Sequence, residues 1–504
     1  MKIELSKSEV IKIIDPELIG KLPLQESHLV EVIDPVDLLS PKRFDIMADY
    51  IYAKYKYLDA AKEWRCRVNS ECRKLMASSE TESNQANLIA NDLNKFYEIF
   101  ENLNIDDVEK EDHYLPVTDD NILIGNAHQL ATSLVHQHSV NAVKFNYQPN
   151  KYDYQFFSNH GLSLDVGDSM ALAFSRLCQN MVVVVVFPIA RGKDDEIKDV
   201  LSAYGEIAYE KQIRFSELGR YNLIRMLYFN MHWIDPDGDI TYGICHHVDH
   251  RFWRDNPVKF YFFIFDDLLR ILEAKARLRA LFDLKNFPVH INDTHDETVW
   301  IAEHILTPNS NFFMNHAQPW LSMKFLKYLN LFHNEINQKG LAKDKFCLID
   351  DAVLSAFGLR DTKHINYLYF GDTTSVNLSS EFRANNNEIL SQRISIDEFI
   401  FDPRNYFYFR GIKFVSPSAL AELQCGQNTS KNIRDARLID SLESESFNIY
   451  KTWRDFRFIF KKSLVKLTHI DRERLRNHVP KFIRLMLKKV FNFLSHHKKD
   501  PLDG

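Results

Sequence analysis

The stretch NMVVVVVFPIARGKDDEIKDVLSAYGEIAYEKQIRFS, residues 180–216, decides the fold. NMVVVVVFPI is an unbroken apolar run of strand length and reads as a buried strand. KDDEIKDVLSAYG reads as a helix that ends at Gly205, and EIAYEKQIRFS alternates like a half-buried strand. The pattern continues downstream. ELGRYNLIRMLYFNMHWI has apolar residues at helical spacing, VKFYFFIFD is a strand and DLLRILEAKARLRALF a helix. FPVHINDTHDETVWIAEHIL, residues 287–306, then reads as a short strand running into a helix.

The order β-α-β-α-β-α-β-α fits an antiparallel sheet with helices on one face, the ferredoxin-like plan. Its last strand carries the chemistry. His290 sits at the strand tip, and Asp293, Asp296 and Glu297 crowd the first helical turn. Carboxylates suit the positive end of a helix dipole, so the acids alone have a simple account. The histidine does not. A neutral imidazole can attack phosphorus when an acceptor holds its other nitrogen and fixes the tautomer. An acid in the next turn could be that acceptor, and an arginine nearby would neutralise the phosphoryl oxygens.

Residues 180–306 resemble the nucleoside-diphosphate-kinase fold. FPIA stands where that family has a strand ending in Lys-Pro-Asp-Ala, and RLRALF precedes VHINDTHDE where it has an arginine, a strand-end histidine and an acid-rich helix. The resemblance implies His290 as phosphate acceptor, Arg279 as the charge-stabilising arginine, and Asp293 with Glu297 as the groups that orient the imidazole. Phe187 and Ile189 stand where the family has its lysine and aspartate, and Ile291 where it has a glycine.

Two flanking regions carry further resemblances. YLPVTDDNILIGNAHQLATSLVHQHSVNAVKF, residues 114–145, is similar to the ParB/sulfiredoxin-like fold, in which a His-Arg pair at a strand-to-helix turn helps hold phosphate at a helix N-terminus. His128 is kept and Gln129 replaces the arginine. VLSAFGLRDTKHINYLYF, residues 353–370, resembles the nucleotidyltransferase fold, with Arg360 in the Gly-Leu-Arg turn. His364 and Asn366 stand where two aspartates would bind a Mg²⁺ pair. A histidine and a neutral amide cannot hold two hard cations as aspartates do, so no metal site is expected there. Mg²⁺ with a nucleoside triphosphate is the cofactor pair these resemblances imply, and His128, Arg360, His364 and Asn366 are the expected ligand-binding residues.

At ~150 residues per domain, 504 residues predict about three domains. The expected division is 1–150, 151–308 and 309–445, followed by a tail over 446–504: α/β and α+β units around the central sheet, with a basic helical end. The net charge of −6 hides an asymmetry. Lysines and arginines dominate the chain from Lys451 to Lys499, against only Asp455, Asp471 and Glu473. An acidic body excludes nucleic acid as the main ligand. PKFIRLMLKKVFNFLSHHKK, residues 480–499, has one broad apolar face and one cationic face, as a helix lying on an anionic membrane surface would. No apolar run approaches the ~20 residues of a membrane span. No secretory signal opens the chain, and the six scattered cysteines read as reduced thiols. A cytoplasmic protein, peripheral on the inner face of the membrane, is expected. The cluster YGICHHVDHRFW, residues 242–253, has metal-binding residue types but no zinc-ligand spacing.

The expected function is a phosphotransferase acting on a sugar or lipid-linked glycan in surface-polysaccharide synthesis, with a nucleotide or phosphorylated sugar as its small-molecule partner. The rival is a non-catalytic scaffold or ligand-binding protein that keeps degenerate enzyme folds.

Overall fold

The computed structural model describes residues 2–80, 97–98, 114–190, 192–229, 256–282, 288–386, 395–425 and 430–443. The histidine-rich cluster at 242–253 and the basic tail lie outside the described residues, as does the upstream end of FPVHIN. Among the described residues no helix is long and apolar enough to cross a membrane.

Among the described residues the protein is a mixed α/β structure with three small sheets. The first contains β1 (Lys2–Ser6), β2 (Ser27–Ile33), β3 (Tyr114–Thr118) and β4 (Val140–Phe145) in the order β1-β2-β4-β3. β3 and β4 run parallel, joined by the helix Ala127–His136, while the other pairs are antiparallel.

The central sheet contains β5 (Met181–Val186), β6 (Gly205–Ile213), β7 (Val258–Phe265) and β8 (Val289–Ile291) in the order β6-β7-β5-β8, antiparallel throughout. Alternate side chains of a strand leave opposite faces. Val182, Val184 and Val186 pack against Ile197, Leu201, Ala274 and Leu278 of the helices Asp194–Ser202 and Ile271–Ala280. Val183 and Val185 belong to the opposite layer with Val166, Met170, Ile301 and Ile305, from the helices Leu164–Leu177 and His295–Ile305. The expected single helical face is therefore corrected: both faces are covered. That is why the valine run never alternates with polar residues. The helix expected to end at Gly205 ends at Ser202, and Gly205 opens β6. Its φ is 153°, and a Cβ there would overlap the carbonyl of Ile264 on β7.

The third sheet holds β9 (Phe346–Ile349), β10 (Ile365–Tyr369), β11 (Phe382–Ala384), β12 (Tyr406–Phe409) and β13 (Ile412–Val415) in the order β11-β10-β9-β13-β12. β12 and β13 form a hairpin across Arg410-Gly411, whose φ values of 52° and 70° match the two left-handed positions of a twist-compatible two-residue turn. One hydrophobic cluster runs from Leu38 to Leu442 and includes residues of all three sheets, among them Leu115, Val183 and Leu348.

Candidate functional site

β8 is only three residues long, with Val289 and Ile291 buried in one layer. His290 therefore projects to the other face, at the edge of the sheet, and is half-buried. Asn292 prolongs the strand with its side chain. Its Oδ1 accepts from Val183 N at 2.6 Å, and its Nδ2 donates to Thr298 Oγ1 at 2.8 Å. The Tyr228 ring, just past the helix Glu217–Leu227, meets the His290 ring at 5.0 Å in an edge-on arrangement. Burial pushes the Tyr228 hydroxyl up to about 12, opposed by the positive charge of Arg279. His290, Tyr228 and Arg279 thus share one neighbourhood.

The expected acids are engaged differently. Asp293 forms an ion pair with Lys275, on the helix Ile271–Ala280. Glu297 Oε2 accepts from the backbone N–H of Asp293 at 2.8 Å, while Thr294 Oγ1 accepts from Glu297 N at 3.3 Å. These reciprocal bonds cap the helix start. The acid-rich turn is thus largely helix-capping chemistry.

His128 lies in the first turn of Ala127–His136, after Asn126 in a left-handed conformation. A Cβ on Gly125 would collide with Leu18, so an apolar side chain packs where that turn begins. The Gln129 amide oxygen is buried with no hydrogen-bond partner among the described residues. These features do not resemble an open phosphate cradle.

In the third sheet, Arg360 Nη1 donates to Asp351 Oδ1 at 2.6 Å and to Asp435 Oδ2 at 3.2 Å. It ties the helix Asp351–Ala356 to the helix Ser430–Glu443. His364 is exposed just before β10. Asn366 Nδ2 donates to Asp350 Oδ2 at 3.1 Å, and Asn385 Nδ2 donates to the same oxygen at 2.9 Å.

Asp350 is the residue that sequence reasoning missed. It sits where β9 turns into the helix Asp351–Ala356, at φ 57° and ψ −126°. A side chain in such a conformation costs about 1–3 kcal/mol, and such strain gathers at functional corners. The signal was FCLIDDAV: four apolar strand residues stopped by two aspartates at a helix start. The donor set at this corner does not fit a Mg²⁺ pair. Two amide N–H groups point at the single carboxylate, and Asp351 is taken by Arg360, with Lys431 at 3.5 Å. Among the described residues no three His, Cys, Asp or Glu side chains gather as a metal ion would require.

The strain is directly measurable. Asp350→Gly and Asp350→Ala both remove the carboxylate, but only Gly relaxes at this φ and ψ. The Ala variant should be less stable than the Gly variant by about 1–2 kcal/mol in urea unfolding. Equal midpoints would show an unstrained corner.

No family model matches the chain, and neither a curated protein nor a solved structure matches it.

Proposed function

We propose that this chain is a ligand-binding protein built on enzyme-like units. Its ligand is a nucleotide or phosphorylated sugar of the kind used in glycan assembly, and it does not pass a phosphoryl group through His290. The central unit is read as ferredoxin-like, enlarged by an insertion between its second and third strands. Its strand order and the pairing of the helices Asp194–Ser202 and Ile271–Ala280 on one face support this.

One observation carries the functional reading. The two carboxylates that would orient the His290 imidazole are committed elsewhere, Asp293 to Lys275 and Glu297 to the helix cap. A nucleophilic imidazole needs a held tautomer, and neither of these two carboxylates is the group that holds it. The third sheet points the same way, since Asn366 is spent on Asp350 and Arg360 on Asp351 and Asp435. Arg279, on the helix Ile271–Ala280, favours an anionic ligand beside β8, since Lys275 on the same helix is already paired with Asp293. The phosphotransferase reading keeps one observation in its favour, the closeness of Tyr228 and Arg279 to His290.

Radiolabelled ATP with Mg²⁺ separates the two. The full chain should acquire no acid-labile, base-stable phosphate. Such a label on the natural sequence, absent from His290→Asn, would reinstate phosphotransfer. In parallel, thermal unfolding with UDP, UDP-glucose and a hexose phosphate should show a rise in Tm for at least one compound. Arg279→Gln should reduce that rise. No shift with any of the three would sink the binding reading.

A further inference from the structure

The central sheet has two edges. β8, with His290, forms one, and β6 forms the other. Every second residue of an edge strand turns its N–H and C=O away from the sheet. Among the described residues the backbone of β6 bonds to no element but β7. A bulge between Ile207 and Tyr209 interrupts the regular edge. An added strand is therefore confined to the stretch before the bulge, residues 205–207. A groove of about 340 Å³ lies beside that stretch. This is within the range of ~300–1,000 Å³ typical of ligand sites. Part of its lining is apolar: Ile207 and Phe263, which pack in the layer under the helix Asp194–Ser202. Pro41, Lys42, Lys151 and Tyr154 line it as well, from the segments before the helix Ile46–Lys54 and after β4.

Each lysine in the groove has a carboxylate partner that also lines it. Lys42 meets Glu206 at 3.3 Å, Lys151 meets Asp153 at 2.6 Å, and Lys198 meets Glu210 at 2.6 Å. The charges cancel in number but not in reach. The side chains of Lys151 and Lys198 are 61% and 38% exposed, against 15% and 22% for Asp153 and Glu210. Asp153 Oδ1 also accepts from Phe156 N at 2.8 Å, at the start of the helix Tyr154–Asn159. An arriving chain therefore meets more ammonium than carboxylate. Lys42 and Glu206 are each about half exposed. An exposed ion pair is worth only ~0–1 kcal/mol, so a ligand carboxylate replaces Glu206 beside Lys42 at little cost. Successive residues of a strand leave opposite faces. Ile207 thus faces the apolar layer, while Glu206 faces the other way, toward Lys42.

We propose that the β6 edge is a docking site for a short extended segment of another protein, in which acidic and apolar residues alternate. Its backbone pairs with residues 205–207. An apolar side chain lies on Ile207 and Phe263, and acidic side chains on the other face reach Lys42 and Lys151. The backbone groups of the edge supply attachment, and the two unlike faces supply specificity. The site is at the opposite edge of the sheet from β8, so it is independent of a ligand bound there.

The end-capped pentapeptide Glu-Val-Glu-Val-Glu is the probe, and Lys-Val-Lys-Val-Lys is the reversed-charge control. Each is titrated into the full-length protein by calorimetry. The acidic peptide should bind and the basic one should not. Lys42→Glu should weaken binding about tenfold, a loss of about 1.4 kcal/mol. Glu206→Lys should strengthen it. Both side chains are half exposed, so these variants should fold. Two further probes carry N-methyl groups, one on the valine amides and the other on the glutamate amides. Only alternate amides of an added strand face its neighbour, so one of these probes should bind like the parent and the other should lose affinity. Equal affinity of the two N-methyl probes would show that no strand pairing occurs and would overturn the proposal. So would binding that ignores both Lys42→Glu and Glu206→Lys, equal affinity for the basic peptide, or no binding of the acidic one at millimolar concentration. A protein that sediments as a dimer, and that the acidic peptide converts to a monomer, would place a second copy in the groove and overturn it too.

Discussion

Replacing Arg43 by methionine should destabilise the protein by about 3–5 kcal/mol, the range found when one partner of a buried ion pair is removed. Arg43 and Asp45 are almost fully buried, with side chains 6% and 4% exposed. The pairing is bidentate, Nε to Oδ1 at 2.9 Å and Nη2 to Oδ2 at 2.7 Å. The remaining Nη1 donates to the carbonyl of Leu123, in the turn that follows β3. The backbone on either side is stitched to Tyr152, which accepts from Phe44 N at 3.0 Å and donates to Lys42 O at 2.9 Å. One guanidinium thus joins the start of the helix Ile46–Lys54 to the turn after β3, and the backbone beside it is bonded to the segment after β4. Methionine keeps much of the volume but strands the Asp45 carboxylate and the Leu123 carbonyl. Asp49 lies one turn along, also buried and held by Arg73 at 3.0 Å and Asn69 at 2.7 Å, so the stranded charge would face a second carboxylate. Two checks separate this from a packing effect. The double variant Arg43→Met with Asp45→Leu should lose less than Arg43→Met alone, because no charge is left unpaired. In Arg43→Met, the Asp45 carboxylate would be buried with no partner, at a cost carried only while it is charged. That penalty is present at neutral pH and relieved as pH falls, so the gap to the natural protein should narrow toward pH ~5. A gap that stays constant with pH would show that the loss is not electrostatic.

The same physics shows which parts of this protein were legible in its sequence. The elements of the central sheet were, because a run such as MVVVVV or VKFYFFIF allows few alternatives to a buried strand. The covering of that sheet was not. Val183 and Val185 need an apolar partner, but nothing local says that it comes from the helices Leu164–Leu177 and His295–Ile305 rather than from solvent-facing side chains. Asp168 on the first of these helices accepts from the Tyr209 hydroxyl of β6 at 2.8 Å, a link that spans 41 positions of the chain. The boundary at Gly205 was misplaced for a related reason. Glycine is common at helix ends, and only the carbonyl of Ile264 on a neighbouring strand shows that this one serves a close approach instead.

The candidate sites follow the same division. The position of His290 on a strand was readable from its apolar neighbours. Of its neighbours, Arg279 was expected from the resemblance, whereas Tyr228 was not, because it follows an inserted helix. Asp296 and Glu297 were readable as first-turn residues and Glu297 proved to cap the helix, whereas Asp293, expected in the same turn, lies before the cap residue Thr294 and pairs with Lys275. In the third sheet, Asn366 drew notice as a missing carboxylate. Its actual partner, Asp350, lies 16 residues upstream.

Acidification should weaken the fold through one histidine in particular. His304, on the helix His295–Ile305, is 2% exposed. Its Nδ1 donates to the carbonyl of Trp300 at 2.7 Å, and its ring lies 4.5 Å from that of Trp300 and 6.5 Å from that of Tyr408. Burial among these rings lowers its pKa to about 4, only partly offset by the bond to the Trp300 carbonyl. An unfolded histidine titrates near ~6.5. Between those values the unfolded chain binds a proton that the folded chain refuses, so stability must fall as pH falls. Above ~6.5 both states are neutral at this position and it contributes no slope. Below it, the loss is about 1.4 kcal/mol per pH unit, reaching about 3 kcal/mol near pH ~4. Burial lowers the pKa of His333 as well, which adds slope of the same sign, so the test is a difference. His304→Phe keeps an aromatic ring and removes the titration. It gives up the bond to the Trp300 carbonyl, a pH-independent cost of about 1 kcal/mol. Urea unfolding at intervals from pH ~4 to ~7 should therefore show two curves that differ by a constant above pH ~6.5 and approach or cross below it, with His304→Phe the flatter. Parallel curves over the whole range would mean that His304 accepts its proton as easily in the folded protein as in the unfolded one, and that the layer between the central and third sheets is wetter than its packing indicates.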